Sequence, residues 1–103
     1  MMTPALSDVV TSLNRALWGE VSPNLRSAQF TVEPRHIGLR FYFDGTPNDE
    51  AVESVGSIGA EVAADFPGCK VSEEVIPTTA GTAIPRQEGW HLAFARKEAS
   101  LVA

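Results

Sequence analysis

At 103 residues, with 44% hydrophobic and 20% charged side chains, the chain is long enough for one modest core and too apolar for a disordered segment. Eight Lys and Arg against thirteen Asp and Glu leave a formal charge of −5, which argues against direct binding to nucleic acid, where cations must neutralise phosphate. A single cysteine excludes an intramolecular disulfide, and no apolar run nears the roughly 20 residues that span a bilayer, so a cytoplasmic protein with no membrane partner is expected.

The first element reads as a helix. Leu6, Val9, Val10, Leu13, Ala16 and Leu17 form one apolar stripe, with Thr3 as its cap, Pro4 in the first turn and Gly19 as its stop. Two strands follow. Ala28, Phe30 and Val32 alternate with polar residues, and after a turn at Glu33-Pro34-Arg35 so do Ile37, Leu39, Phe41 and Phe43. The short link predicts an antiparallel hairpin. A second helix is expected after Asp44-Gly45, capped by Thr46 with Pro47 in its first position. Its stripe is Val52, Val55, Ile58, Gly59, Val62, Ala63 and Phe66. Close approach to the sheet would explain Gly59. Val71, Val75 and Ile76 mark a third strand with Ser72-Glu73-Glu74 in its middle. A long loop over 77–89 leads to a last strand, with Trp90, Leu92 and Phe94 on one side and His91 on the other. The tail after Lys97 is expected to fray.

The order α-β-β-α-β-β predicts a single α+β domain. It is a two-layer sandwich with a four-stranded, largely antiparallel sheet and both helices on one face. Candidate core residues are Leu6, Val10, Leu13, Leu17, Phe30, Leu39, Phe41, Val55, Ile58, Val62, Val71 and Leu92.

Eight of the thirteen acidic residues lie between Asp44 and Glu74, with Lys70 the one cation among them. His36 and His91 lack the spacing of a metal motif and read as surface residues, so no metal or cofactor is expected. Gly-Ser-Ile-Gly at 56–59 falls inside a helix and lacks the ending of a phosphate loop. An acidic surface without a catalytic constellation points to a binding module for a cationic protein. Asp49, Glu50, Glu53, Glu61 and Asp65 are the candidate electrostatic surface. Tyr42, placed on the polar side of its strand, and Glu73 are secondary contacts. Two other readings remain. One is a small enzyme or ligand-binding protein using the open sheet face, where Gln29, Arg40, Tyr42 and His91 could line a pocket. The other is a homodimer built on that face.

The runs Leu13-Asn14-Arg15-Ala16-Leu17-Trp18-Gly19-Glu20-Val21, Pro23-Asn24-Leu25-Arg26 and Leu39-Arg40-Phe41-Tyr42-Phe43-Asp44-Gly45 are followed by Ala64-Asp65-Phe66-Pro67, Glu73-Glu74-Val75-Ile76 and Arg96-Lys97-Glu98. In this order and spacing they resemble small immunity proteins of bacterial contact-dependent growth-inhibition systems, over about residues 6 to 98. The resemblance implies a non-enzymatic cytoplasmic inhibitor, monomeric alone and forming a heterodimer with a toxin's C-terminal domain. Many such toxins are nucleases with basic clefts. Contact residues do not carry over by motif.

Overall fold

A computed structural model describes residues 3–79 and 81–98, in which helix α1 (Leu6–Ala16) is followed by β1 (Leu25–Glu33), β2 (His36–Asp44), α2 (Asp49–Asp65), β3 (Lys70–Thr78) and β4 (His91–Ala95). The expected tail beyond residue 98 lies outside the described residues. The sheet order is β3-β2-β1-β4. The hairpin β1–β2 and the pair β1–β4 are antiparallel, as expected for most of the sheet. The pair β2–β3 is parallel. The reason is local: α2 carries the chain back along the sheet, so the next strand starts at the same end as β2.

Both helices begin later than the sequence suggested. Ala5, not Thr3, caps α1, and it supplies no side-chain hydrogen bond. Asn48, not Thr46, caps α2, and its side chain accepts from the Ala51 N–H at 2.8 Å. Apolar side chains of the helices and of one sheet face make the core: Val9, Leu13, Ala16 and Leu17 of α1 and its cap, Val55, Ile58 and Val62 of α2, and Leu25, Ala28, Phe30, Ile37, Leu39, Phe41 and Phe43 of the hairpin. Burying each of the larger ones is worth roughly 1.5–3 kcal/mol. Two expected core residues fail: Leu6 is 47% exposed at the helix end and Leu92 is 43% exposed. Val10 and Val71 are half-buried against the core.

Two register shifts explain much of the departure from simple alternation. Leu25 pairs with Phe43 and Ser27 with Tyr42, so Arg26 is an extra residue in β1. Ala28 pairs with Phe94 and Gln29 with Leu92, so Ala93 is an extra residue in β4. An added residue inverts the alternation beyond it. Phe94 therefore joins the core while Leu92 turns to the opposite face, and His91 stacks on Phe30 from the core side at 5.3 Å between ring centroids.

Arg26 is only 4% exposed, a position where an unpaired guanidinium would cost several kcal/mol. Its Nε and Nη2 donate to the two carboxylate oxygens of Glu98 at 2.7 and 2.9 Å. Its Nη1 donates to Thr78 Oγ1, which itself donates to the Phe43 carbonyl. Arg96 adds contacts to Glu98 at 3.0 Å and Asp44 at 3.4 Å. The forked pair with Arg26 is the main reason the Glu98 carboxyl falls from its ordinary 4.5 to about 2, with Arg96 helping and partial desolvation opposing. A depressed carboxylate stabilises the fold fully above pH 4.5, and that contribution disappears as pH falls from 4.5 towards 2. Glu98→Gln is expected to lower the urea midpoint at neutral pH and to flatten its fall across that window. A midpoint-versus-pH slope identical to the parent's would refute this role.

Gly59 faces Glu73 across the α2–β3 contact: a Cβ there would stand 2.7 Å from Glu73 Cγ, whereas one on Gly56 would meet nothing. Gly56→Ala should therefore stabilise by about 1 kcal/mol, the helix-propensity difference. Gly59→Ala should gain less, because Glu73 must swing away, and adding Glu73→Ala should restore the full gain. Chemical denaturation of the three variants checks this.

Candidate functional site

The five acidic residues of α2 do not form one uniform group. Asp65 is engaged within the chain, accepting from Ser12 Oγ at 2.7 Å and from Arg15 Nη2 at 3.0 Å. The Ser12 hydroxyl, and then Arg15, hold its carboxyl below the ordinary range against partial desolvation. Asp65 is thus a pin between the helices, exposed but paired within the chain. Elsewhere Arg40 takes Glu74 at 3.0 Å and Arg96 takes Asp44. Arginines distant in sequence have neutralised three of the eight carboxylates in the acidic segment.

On α2 itself Asp49, Glu50, Glu53 and Glu61 remain, all exposed, and among the described residues none is in an ion pair. At 100° per residue they fall on one side of α2 with exposed Gly56, Ser57, Ala60 and Ala64. From Asp49 to Glu61 this side runs about 18 Å at 1.5 Å per residue. Asp49 and Glu50 suit the positive N-terminal end of the helix, but Glu61 near its other end does not, and α2 has no cation in its last turn. Two glycines weaken the helix further. The outer side of α2 is therefore a smooth anionic strip whose composition the fold itself does not require.

The secondary contacts move as well. Tyr42 is only 3% exposed, contrary to its expected role as a surface contact. The cause is the segment 81–90, which crosses the sheet face opposite the helices. Gln29, itself 6% exposed, donates to the Pro85 carbonyl at 3.3 Å. Arg40 reaches Gln87 and lies 3.9 Å from the centroid of the Trp90 ring, which in turn sits over Gly38. Glu73 stays exposed, on the outer strand β3 beside Gly59.

Among the described residues Arg40 and His91 do not share a pocket. Arg40 faces the 81–90 segment and His91 faces the helices, so the sheet itself separates them. A cavity of about 460 Å³ under that segment is lined by Tyr42, Ile76, Pro77, Thr82 and Pro85 among others. A second cavity of about 460 Å³ opens near the hairpin turn, against Glu33, His36, Ser72 and Trp90. No group of three or more His, Cys, Asp or Glu side chains among the described residues could hold a metal ion. Trp18 is 77% exposed in the turn after α1.

A scan of protein families matches residues 6–98 to the model described as MafI2 immunity protein. The chain belongs to the MafI2 immunity protein family. Membership makes it an immunity protein of the Maf toxin system, with an inhibitor's role. The motif resemblance was therefore right at the level of an immunity protein, while the family matched is MafI2 and not specifically one of contact-dependent growth inhibition. No curated protein matches the chain. No described helix is long and apolar enough to cross a membrane.

Sequence reasoning missed Arg26 and Glu98 as a pair, although both lie in the motifs that carried the resemblance. It also missed Arg40 as the fastener of the 81–90 segment. Arg40→Ala should free that segment, shifting Trp90 emission to the red and speeding tryptic cleavage after Arg86. Arg40→Lys should restore little, since a compact ammonium cannot stack and fork at once. Equal cleavage rates in all three proteins would contradict it.

Proposed function

We propose that this immunity protein neutralises its cognate toxin by laying the outer side of α2 against a basic surface of that toxin, with Asp49, Glu50, Glu53 and Glu61 supplying the field. The carrying observation is that these carboxylates stay uncompensated within the described fold while their neighbours are paired. Opposite potentials accelerate encounter and select the partner, and the small side chains between the carboxylates let a partner approach closely. A nuclease toxin fits this chemistry, because a cleft built for phosphate is cationic. The complex is read as one inhibitor to one toxin domain, formed in the cytoplasm, with delivery by neighbouring cells as in contact-dependent inhibition. Tyr42 and Asp65 drop out of the contact set, and Glu73 remains a marginal member at the sheet edge.

The test is a charge reversal. The variant carrying Asp49→Lys, Glu50→Lys, Glu53→Lys and Glu61→Lys should bind the toxin about 100-fold or more weakly, mostly through slower association, and should lose the parent's salt dependence. It should also fail to rescue growth on co-expression. Asp65→Asn should lower stability and leave affinity unchanged. Parent-like affinity in the folded fourfold variant would place the interface elsewhere.

A further inference from the structure

The cavity beside the hairpin turn contains a hydrogen-bonded chain that toxin binding by α2 leaves unused. His36 Nε2 lies 2.9 Å from Ser72 Oγ, and His36 Nδ1 lies 3.4 Å from Glu33 Oε1. The Glu33 carboxylate can only accept, so Nδ1 carries the proton. In a neutral imidazole Nε2 is then the acceptor, and the Ser72 hydroxyl must donate to it. The tautomer assigned in this way is the one a general base needs. All three side chains line the same open cavity, with Trp90 and Glu88 on its wall.

The fold brings them together through the parallel pairing. Glu33 and His36 flank the β1–β2 turn as register partners. Gly38 is the register partner of Ser72, which puts Ser72 on the same face one pleat from His36. Gly38 has no side chain to fill the space, and the edge of the Trp90 ring would lie 3.3 Å from a Cβ placed there.

We propose that Ser72 is a nucleophile activated by His36, with Glu33 orienting the imidazole, and that it accepts acyl groups from activated esters carrying a positive charge. Ser72 Oγ bonds to the carbonyl carbon as the bond to the leaving alkoxide breaks, and the serine proton passes to His36 Nε2 and on to the leaving oxygen. Water then attacks the acyl-serine, His36 takes its proton, and that proton returns to Ser72 Oγ as the acid departs. The preference for a cation follows from the walls. Glu88, which is in no ion pair among the described residues, works against negative charge growing on the acyl oxygen, and a cationic acyl group offsets it. Deacylation slower than acylation, so that the acyl-serine accumulates, is the expected behaviour.

The probes are 4-nitrophenyl 4-guanidinobenzoate and its neutral analogue, 4-nitrophenyl benzoate. The whole chain should release about one equivalent of nitrophenolate from the cationic ester in a burst, as an accumulating acyl-serine requires. Peptide mass mapping should place the guanidinobenzoyl group on Ser72. Ser72→Ala should abolish the burst, and His36→Ala should slow it about 100-fold, within the range for loss of a general base. Glu33→Gln should slow it less, and the neutral ester should react more slowly than the cationic one. Circular dichroism identifies any variant that has not folded, and the chemical reading of Ser72 stands on the mass map of the parent chain alone. An adduct on Lys70 instead of Ser72, or no adduct at all, overturns the proposal. So does equal acylation by the two esters. Toxin affinity of the same variants should be unchanged, which separates this outcome from the fate of the α2 interface.

Discussion

The guanidinium of Arg26 is the constraint on which the edges of this fold depend. It is buried at a bulge in the central strand β1, where a cation survives only if its donors are taken up. Glu98, from beyond the last strand, meets it with both oxygens, and Thr78 at the end of β3 takes a third donor. One side chain thus ties together the start of β1, the end of β3 and the segment after β4. Arg96 and Asp44 enlarge the cluster at the same end of the sheet. The pairing satisfies a cost that the bulge itself creates, so it is better described as enforcing a unique arrangement than as surplus stability.

The same logic separates the acidic residues into two populations. Asp44, Asp65, Glu74 and Glu98 face arginines and help define the fold. The carboxylates on the outer side of α2 face solvent, and Glu61, near the C-terminal end, opposes the helix dipole. A helix with glycines at 56 and 59 and an acidic C-terminal half is a poor one by intrinsic preference. Its inner stripe of Val55, Ile58 and Val62 holds it in place, which leaves the outer side free to be chosen for something other than stability.

What the sequence made legible was periodic. Both helical stripes, the hairpin and the acidic segment could be read directly because local spacing determines them. Gly59 was rightly tied to a close approach, although what approaches is the side chain of Glu73. The errors concern contacts between distant segments. Tyr42 alternates as a polar-side residue and is nevertheless covered, because the long segment after β3 folds onto that face. His91 and Leu92 changed sides because one extra residue in β4 leaves no mark on composition. Asp65 looked free until Arg15 was found beside it, since no rule of spacing links two helices separated by a hairpin. The chain from Glu33 through His36 to Ser72 was equally hidden, because it exists only when β3 runs parallel to β2.

The separation of Arg26 and Glu98 along the chain, 72 positions, has a consequence during synthesis. At translation rates of about 5–20 residues per second, the arginine precedes its carboxylate by roughly 4 to 14 s. Throughout that interval the nascent hairpin carries a cation it cannot bury, so the strand edge it will close stays hydrated and loosely formed. Locking of the β-layer is thereby deferred until Glu98 has been made, and a ribosome stalled before that codon holds an unfinished antidote.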